Sequence, residues 1–214
     1  MNKLLEKIHS YLEKEVKLNK KTIEEFDKHS VYIAMEIALY AHRGQIRENG
    51  EEYVHHPISC LNLYRNLVGI KQGDPFCIDV NLMYEYGVPY DGVQEVCLLH
   101  DVLEDTNISI EEIKEIYNEL ELGRHFEMYI YKPLQLITHD KDVPYPEYIN
   151  IVMKHPTSAL VKMLDLVDNS NLMTLSTLDA KKLDRSINYM KYIKVINDKY
   201  HFVEHINEYM TKMR

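Results

Sequence analysis

The densest run of reactive side chains is Cys97-Leu98-Leu99-His100-Asp101-Val102-Leu103-Glu104-Asp105-Thr106. On a helix His100 and Glu104 are four residues apart, as are Asp101 and Asp105, so an imidazole and three carboxylates share a pair of adjoining ridges. Like charges at that spacing repel, and a divalent cation or a cationic partner would compensate them. A solvated acidic helix end is the competing reading. Asp165 lies inside Ala159-Leu160-Val161-Lys162-Met163-Leu164-Asp165-Leu166-Val167, a run that reads as core over most of its circumference. A buried carboxylate is rare unless it is paired or metal-bound, and Lys162, one turn away, is the alternative partner. His56 opens a helix after a turn-rich loop, where its ring either points inward or hydrogen-bonds to backbone. Together His56, His100, Asp101 and Asp165 form a mixed N/O set suited to Mn²⁺, Fe²⁺ or Zn²⁺, with waters completing the shell.

Helices must position these groups. The 214 residues include only seven glycines and seven prolines, while helix formers abound, so an all-α chain is expected. Leu4, Ile8, Leu12 and Val16 recur every four residues, and a second apolar stripe runs through Val31, Ile33, Met35, Ile37 and Leu39 into Ala41-His42. The loop from Arg43 to His55 carries the turn signal Asn49-Gly50 before Pro57 begins another apolar helix. Residues 69–92 hold four of the seven glycines and two prolines, which predicts an irregular insertion. Helical periodicity resumes at Val93, continues through Cys97, His100 and Glu104, and stops near Asp105-Thr106. Ser109 and Glu112 then have the spacing of a capping box. Further helices are expected over 124–138, 145–154, 157–172 and 179–213. No repeat or linker is visible, so residues 1–214 read as one domain.

The 34 acidic and 25 basic residues give a formal charge of −9, which argues against a general nucleic-acid or anionic-membrane binder. Three cysteines without a CxxC pair fit a reducing, cytoplasmic setting rather than a disulfide scaffold. The N-terminal segment mixes charged with apolar residues throughout, unlike a signal peptide or a membrane span.

Four ordered stretches resemble the HD-domain superfamily, and within it the hydrolase domain of RelA/SpoT-type enzymes and the small alarmone hydrolases. They are Ala41-His42-Arg43-Gly44-Gln45-Ile46-Arg47; Gly50-Glu51-Glu52-Tyr53-Val54-His55-His56-Pro57; Leu98 to Thr106; and Leu160-Val161-Lys162-Met163-Leu164-Asp165-Leu166-Val167-Asp168-Asn169. The resemblance covers about residues 28–192. It implies an all-α HD-domain helical bundle binding one Mn²⁺ through His56, His100, Asp101 and Asp165. It also implies that Glu104 and Asp105 position and activate the attacking water, and that Arg47 and Asn169 contact the nucleotide. Lys141, within Thr138-His139-Asp140-Lys141, matches a segment near the substrate phosphates. Arg185 and Tyr189 match a basic-aromatic pair at the same site, although a surface charge beside a core edge has the same spacing. His42 reads as structural or supporting, and His55 as exposed.

This chain departs from the family where Glu48, Leu166 and Asn171 replace basic residues, which affects phosphate binding and leaves the metal ligands intact. The activity implied is metal-dependent removal of the 3′-pyrophosphate of guanosine tetra- or pentaphosphate, a small-molecule nucleotide, without a synthetase domain. Three other readings stand beside it. They are a phosphohydrolase for another nucleotide (an adenosine alarmone, the 2′-phosphate of NADPH or a nucleoside monophosphate), a weakly catalytic nucleotide sensor reporting through 69–92, and a helical domain whose acidic string is merely solvated.

Overall fold

A computed structural model describes residues 2–68, 87–172, 175 and 177–212. The chain begins with α1 (Lys3–Tyr11), which widens into a π-helical turn (Leu12–Val16), followed by α2 (Lys20–Phe26) and α3 (Ser30–Ala41). Next come α4 (His55–Leu67), α5 (Val93–Leu99), α6 (Val102–Asp105) and α7 (Ile110–Glu119). A short turn (Gly123–His125) and a second π-helical turn (Phe126–Ile130) lead into α8 (Tyr131–Ile137). The remainder is α9 (Tyr145–Val152), α10 (Pro156–Asn169), α11 (Ala180–Tyr200) and α12 (Phe202–Lys212). Among the described residues the only β pairing is an isolated antiparallel bridge between Ile46 and Glu52. None of the described helices is long and apolar enough to cross a membrane.

Short polar side chains start several of these helices by accepting otherwise orphaned N–H groups. Asn2 caps α1, Asn19 caps α2 and Asp179 caps α11. Ser109 and Glu112 make both bonds of the capping box at the start of α7, as their spacing predicts.

The core is centred on α5, in which Val93, Val96, Cys97, Leu98 and Leu99 are all fully buried. Such burial on every side requires helices all round it, and α3, α4 and α10 supply them, with α11 packed on α10. The helices that carry His56 and Asp165 and the one that ends at His100 are therefore mutual neighbours.

Three differences from the sequence expectation have local causes. The helix predicted to run from Val93 to Glu104 is interrupted at His100-Asp101, and α6 restarts at Val102, although the Asp105 N–H still reaches the Asp101 carbonyl at 2.9 Å. The single helix expected over 179–213 is two, because His201 adopts a left-handed conformation with φ 53°. A short helix, Lys20–Phe26, lies where none was expected. Of the insertion expected at 69–92, residues 69–86 lie outside the described residues, and 87–92 form no helix.

Candidate metal centre

The loop between α3 and α4 folds back on itself before it reaches His56. Gly50 takes φ 88°, the left-handed turn that Asn49-Gly50 favours, and the Arg47 N–H bonds to the Glu51 carbonyl at 2.8 Å. This returns Arg47 to the end of α10, where its guanidinium donates to Asp168 Oδ2 at 3.3 Å and to Asn169 Oδ1 at 3.1 Å. His56 lies in the first turn of α4 and is buried.

The structure brings together all four candidate ligands. Nε2 of His56 is 3.0 Å from Asp165 Oδ1 and 3.5 Å from Asp101 Oδ2. Nε2 of His100 is 3.3 Å from Asp101 Oδ1 and 3.7 Å from Asp165 Oδ1, and the two imidazole centroids are 5.2 Å apart. His100 Nδ1 lies 2.8 Å from the Cys97 carbonyl, which requires the proton to sit there and turns the lone pair of Nε2 inward. That Nε2 is buried and makes no hydrogen bond, an orphan of the kind a cation satisfies. The donors present therefore fit a divalent ion.

Cys60, one turn beyond His56 on α4, also points at this group, with ligand atoms of His56, Cys60, His100 and Asp165 all within 4.8 Å of one another. Burial raises its thiol above the ordinary range. Asp101 offers a carboxylate to both imidazoles, whereas Cys60 would have to lose its proton to the ion to serve as a ligand.

Surrounding residues set the charge state. Burial opposes an imidazolium at His56, but hydrogen bonds to Asp165 and Asp168 outweigh it and push the ring up to about 10. A cation at Nε2 would take the place of that proton. Burial likewise opposes ionisation of Asp165, yet Lys162 and the two histidines hold it well below the usual carboxylate range. Lys162 Nζ lies 2.8 Å from Asp165 Oδ2, so the alternative partner read from the sequence is realised while Oδ1 still faces the histidines. The ammonium is itself covered by the Tyr148 and Tyr145 rings, whose centroids are 5.2 and 5.9 Å away.

Asp168 was not anticipated as part of the site. It lies 2.6 Å from His56 Nδ1, accepts from Ser59 Oγ at 2.5 Å and receives Arg47, so it orients the ring from behind. Its spacing of three residues from Asp165 is the sequence signal that could have identified it. Tyr53 was also missed as an individual residue; its hydroxyl lies 2.9 Å from Asp101 Oδ2 and 2.8 Å from Asp105 Oδ2. His42 is buried, lies 2.8 Å from Gln45 Oε1 through Nδ1 and stacks on Tyr53 with centroids 4.9 Å apart. His55 is exposed.

Glu104 and Asp105 flank the centre. Glu104 Oε1 accepts the His139 N–H at 2.7 Å, and burial raises its carboxyl despite that bond. Asn169 Nδ2 donates to Asp165 Oδ1 at 2.5 Å, joining Arg47 to a candidate ligand.

The remaining candidates lie farther out. Lys141 is exposed in the turn after His139. Arg185, exposed, and Tyr189 line a cleft of about 890 Å³ with Glu48, Tyr145, Lys181 and Lys182. Tyr145 is shared, since its ring also packs 4.9 Å from Tyr192 and covers Lys162. Of the departures from the basic pattern, Glu48 pairs with Lys182 of α11, Leu166 is buried in the core, and Asn171 is exposed.

No family model matches the chain. A guanosine-3′,5′-bis(diphosphate) 3′-pyrophosphohydrolase of Borreliella burgdorferi is 37% identical over 113 residues, which is 50% of this chain and 14% of that protein. The protein of that name called MESH1 in Xenopus tropicalis is 27% identical over 143 residues, 64% of this chain and 65% of the relative. Its Drosophila melanogaster namesake is 23% identical over 171 residues, 77% of this chain and 80% of that one. The chain thus spans only a small part of the bacterial relative and about two thirds of the frog one. A solved structure, described as a metazoan ortholog of SpoT that hydrolyzes ppGpp, superposes with a TM-score of 0.55 at 19% identity, covering 86% of this chain and 95% of its own. The two share their all-helical fold.

Proposed function

We propose that this HD-type domain, similar in fold and sequence to ppGpp hydrolases, is itself a cation-dependent guanosine-3′,5′-bis(diphosphate) 3′-pyrophosphohydrolase. It would convert guanosine tetra- or pentaphosphate and water to GDP or GTP and pyrophosphate, with residues 1–214 acting as one hydrolase domain. The observation that carries this reading is the convergence of two imidazoles and two carboxylates around a buried His100 Nε2 that makes no hydrogen bond. His56, His100, Asp101 and Asp165 would hold the ion, for which Mn²⁺ is our choice among metals that accept a mixed N/O set. The cation supplies the charge that makes water nucleophilic near neutral pH and offsets that of the phosphoryl oxygens.

The chain's own groups orient and protonate. Glu104, its carboxyl raised by burial, is suited to exchanging a proton nearer neutral pH than an ordinary carboxylate. Asp105, held by Tyr53, orients the water. As the water oxygen bonds to the phosphorus beside the ribose 3′ oxygen, the bond from that phosphorus to the 3′ oxygen breaks. The 3′ oxygen then takes up a proton and pyrophosphate departs. Arg47 and Asn169 would contact the nucleotide, with Lys141, Arg185 and Tyr189 farther along the phosphate and cleft side.

The test is to restore Mn²⁺ to metal-stripped protein, add guanosine tetraphosphate and quantify both products against a metal-free control. Equal amounts of GDP and pyrophosphate, formed only with metal, are expected. Absence of turnover in protein holding its ion would overturn the substrate assignment. The pairing of Glu48 with Lys182 on the cleft wall favours one second reading, a nucleotide with a different phosphate arrangement. Release of orthophosphate without pyrophosphate from such a nucleotide would identify it.

A further inference from the structure

A second group of ligand-type side chains lies among the N-terminal helices. His9 on α1, Asp27 at the C-terminal end of α2 and Glu36 in the middle of α3 each offer a ligand atom within 4.8 Å of the others. His9 Nε2 is 3.2 Å from Asp27 Oδ1. Glu36 is only 2% exposed, and neither of its carboxylate oxygens has a hydrogen-bond partner. The flanking Ile33 and Ile37 are core residues, so water does not take the place of a partner for free. Ionised, this carboxylate would be a buried charge without compensation, and protonated, its hydroxyl would still lack an acceptor.

We propose that His9, Asp27 and Glu36 form a second metal site, which binds a divalent first-row transition ion such as Zn²⁺ and clamps α1 and α2 to α3. One imidazole nitrogen and two carboxylates match the preferences of such ions, and three protein ligands leave a position for water. Cations that prefer all-oxygen shells, Ca²⁺ and Mg²⁺, fit less well because of the imidazole. The ion gives the buried Glu36 carboxylate the positive partner it lacks and cancels its repulsion with Asp27. In its absence burial, with Asp27 second, pushes the Glu36 carboxyl up to about 8, the behaviour of a group whose charge is not otherwise balanced. The site is independent of the centre around His100 and of the activity proposed for it.

The experiment titrates the metal-stripped 214-residue chain with Zn²⁺, counting bound ions by calorimetry and elemental analysis in wild type, Glu36→Gln, His100→Ala and the double variant. Glu36→Gln is expected to bind one ion fewer than wild type, and His100→Ala to retain the ion at His9. In His100→Ala, Zn²⁺ at a hundredfold excess over Kd should raise Tm by about 5–10 °C, and the double variant should lose that rise. An unchanged ion count in Glu36→Gln, or the same Tm rise in the double variant, overturns the site. If Glu36→Gln does not fold, His9→Gln replaces it, since that ring is at a more open corner with 20% side-chain exposure.

Discussion

At the level of single residues, the centre depends on groups that hold the candidate ligands as well as on the ligands themselves. Asp168 touches His56 from the side opposite Asp165, so Asp168→Asn should leave the ligand set whole while loosening the ring. We expect metal affinity to fall by about 10–100-fold, with turnover recovering substantially at saturating Mn²⁺; a metal titration of activity checks this. His100→Ala, which removes a candidate ligand, should instead abolish turnover at every metal concentration. Asn169 is more complex than its expected nucleotide contact. Because it donates to Asp165 and accepts from Arg47, Asn169→Ala should raise KM and also shift the metal requirement, a coupling the sequence did not suggest. Steady-state kinetics at two Mn²⁺ concentrations would separate the two effects.

At the level of elements, the decisive feature is where α5 stops. A continuous helix over 93–104 would keep the polar groups on two adjoining ridges; α5 instead stops at His100-Asp101, where Asp101 faces His56 and His100 faces Asp165. Apolar periodicity could not reveal that break, because it registers burial and His100 is as buried as a core leucine. The start of α5 is equally constrained. Gly92 has φ 75°, and a Cβ there would collide with the Tyr129 backbone carbonyl. Gly92→Ala should therefore destabilise the fold by more than about 1–2 kcal/mol, the cost of the left-handed backbone alone, as measured by urea unfolding. Helix starts were more legible than helix ends. The Ser109 and Glu112 spacing specifies a start through local hydrogen bonds, whereas the left-handed stop at His201 has no glycine to announce it.

At the level of the whole molecule, stability depends on pH through pairs that join distant segments. His125 meets the buried Glu95 of α5 at 3.1 Å, and that hydrogen bond, against the opposing effect of burial, raises the imidazole above its ordinary value of 6.5. The folded state then holds a proton that the unfolded chain has released. The stabilisation should be complete below pH 6.5 and be lost as pH rises through the raised pKa. Thermal melts across this range should show Tm declining with pH, and His125→Gln should remove that part of the slope.

The amino-acid sequence alone specified a helical bundle, through scarce glycine and proline and through apolar periodicity, and it named the residues whose types suit a metal. These properties are local: propensity, spacing and side-chain chemistry do not require knowledge of what lies across the core. Only the tertiary structure decided that α4, α5 and α10 meet, so that residues 56, 100 and 165 become neighbours. It also decided that Asp168 and Tyr53 stand behind them and that Cys60 shares the pocket. It placed His9, Asp27 and Glu36 at one corner as well, a grouping that no spacing of nine or eighteen residues reveals. Such juxtapositions arise from packing between helices, and the pairing of faces across a core is fixed by the fit of the whole set of side chains rather than by any one segment.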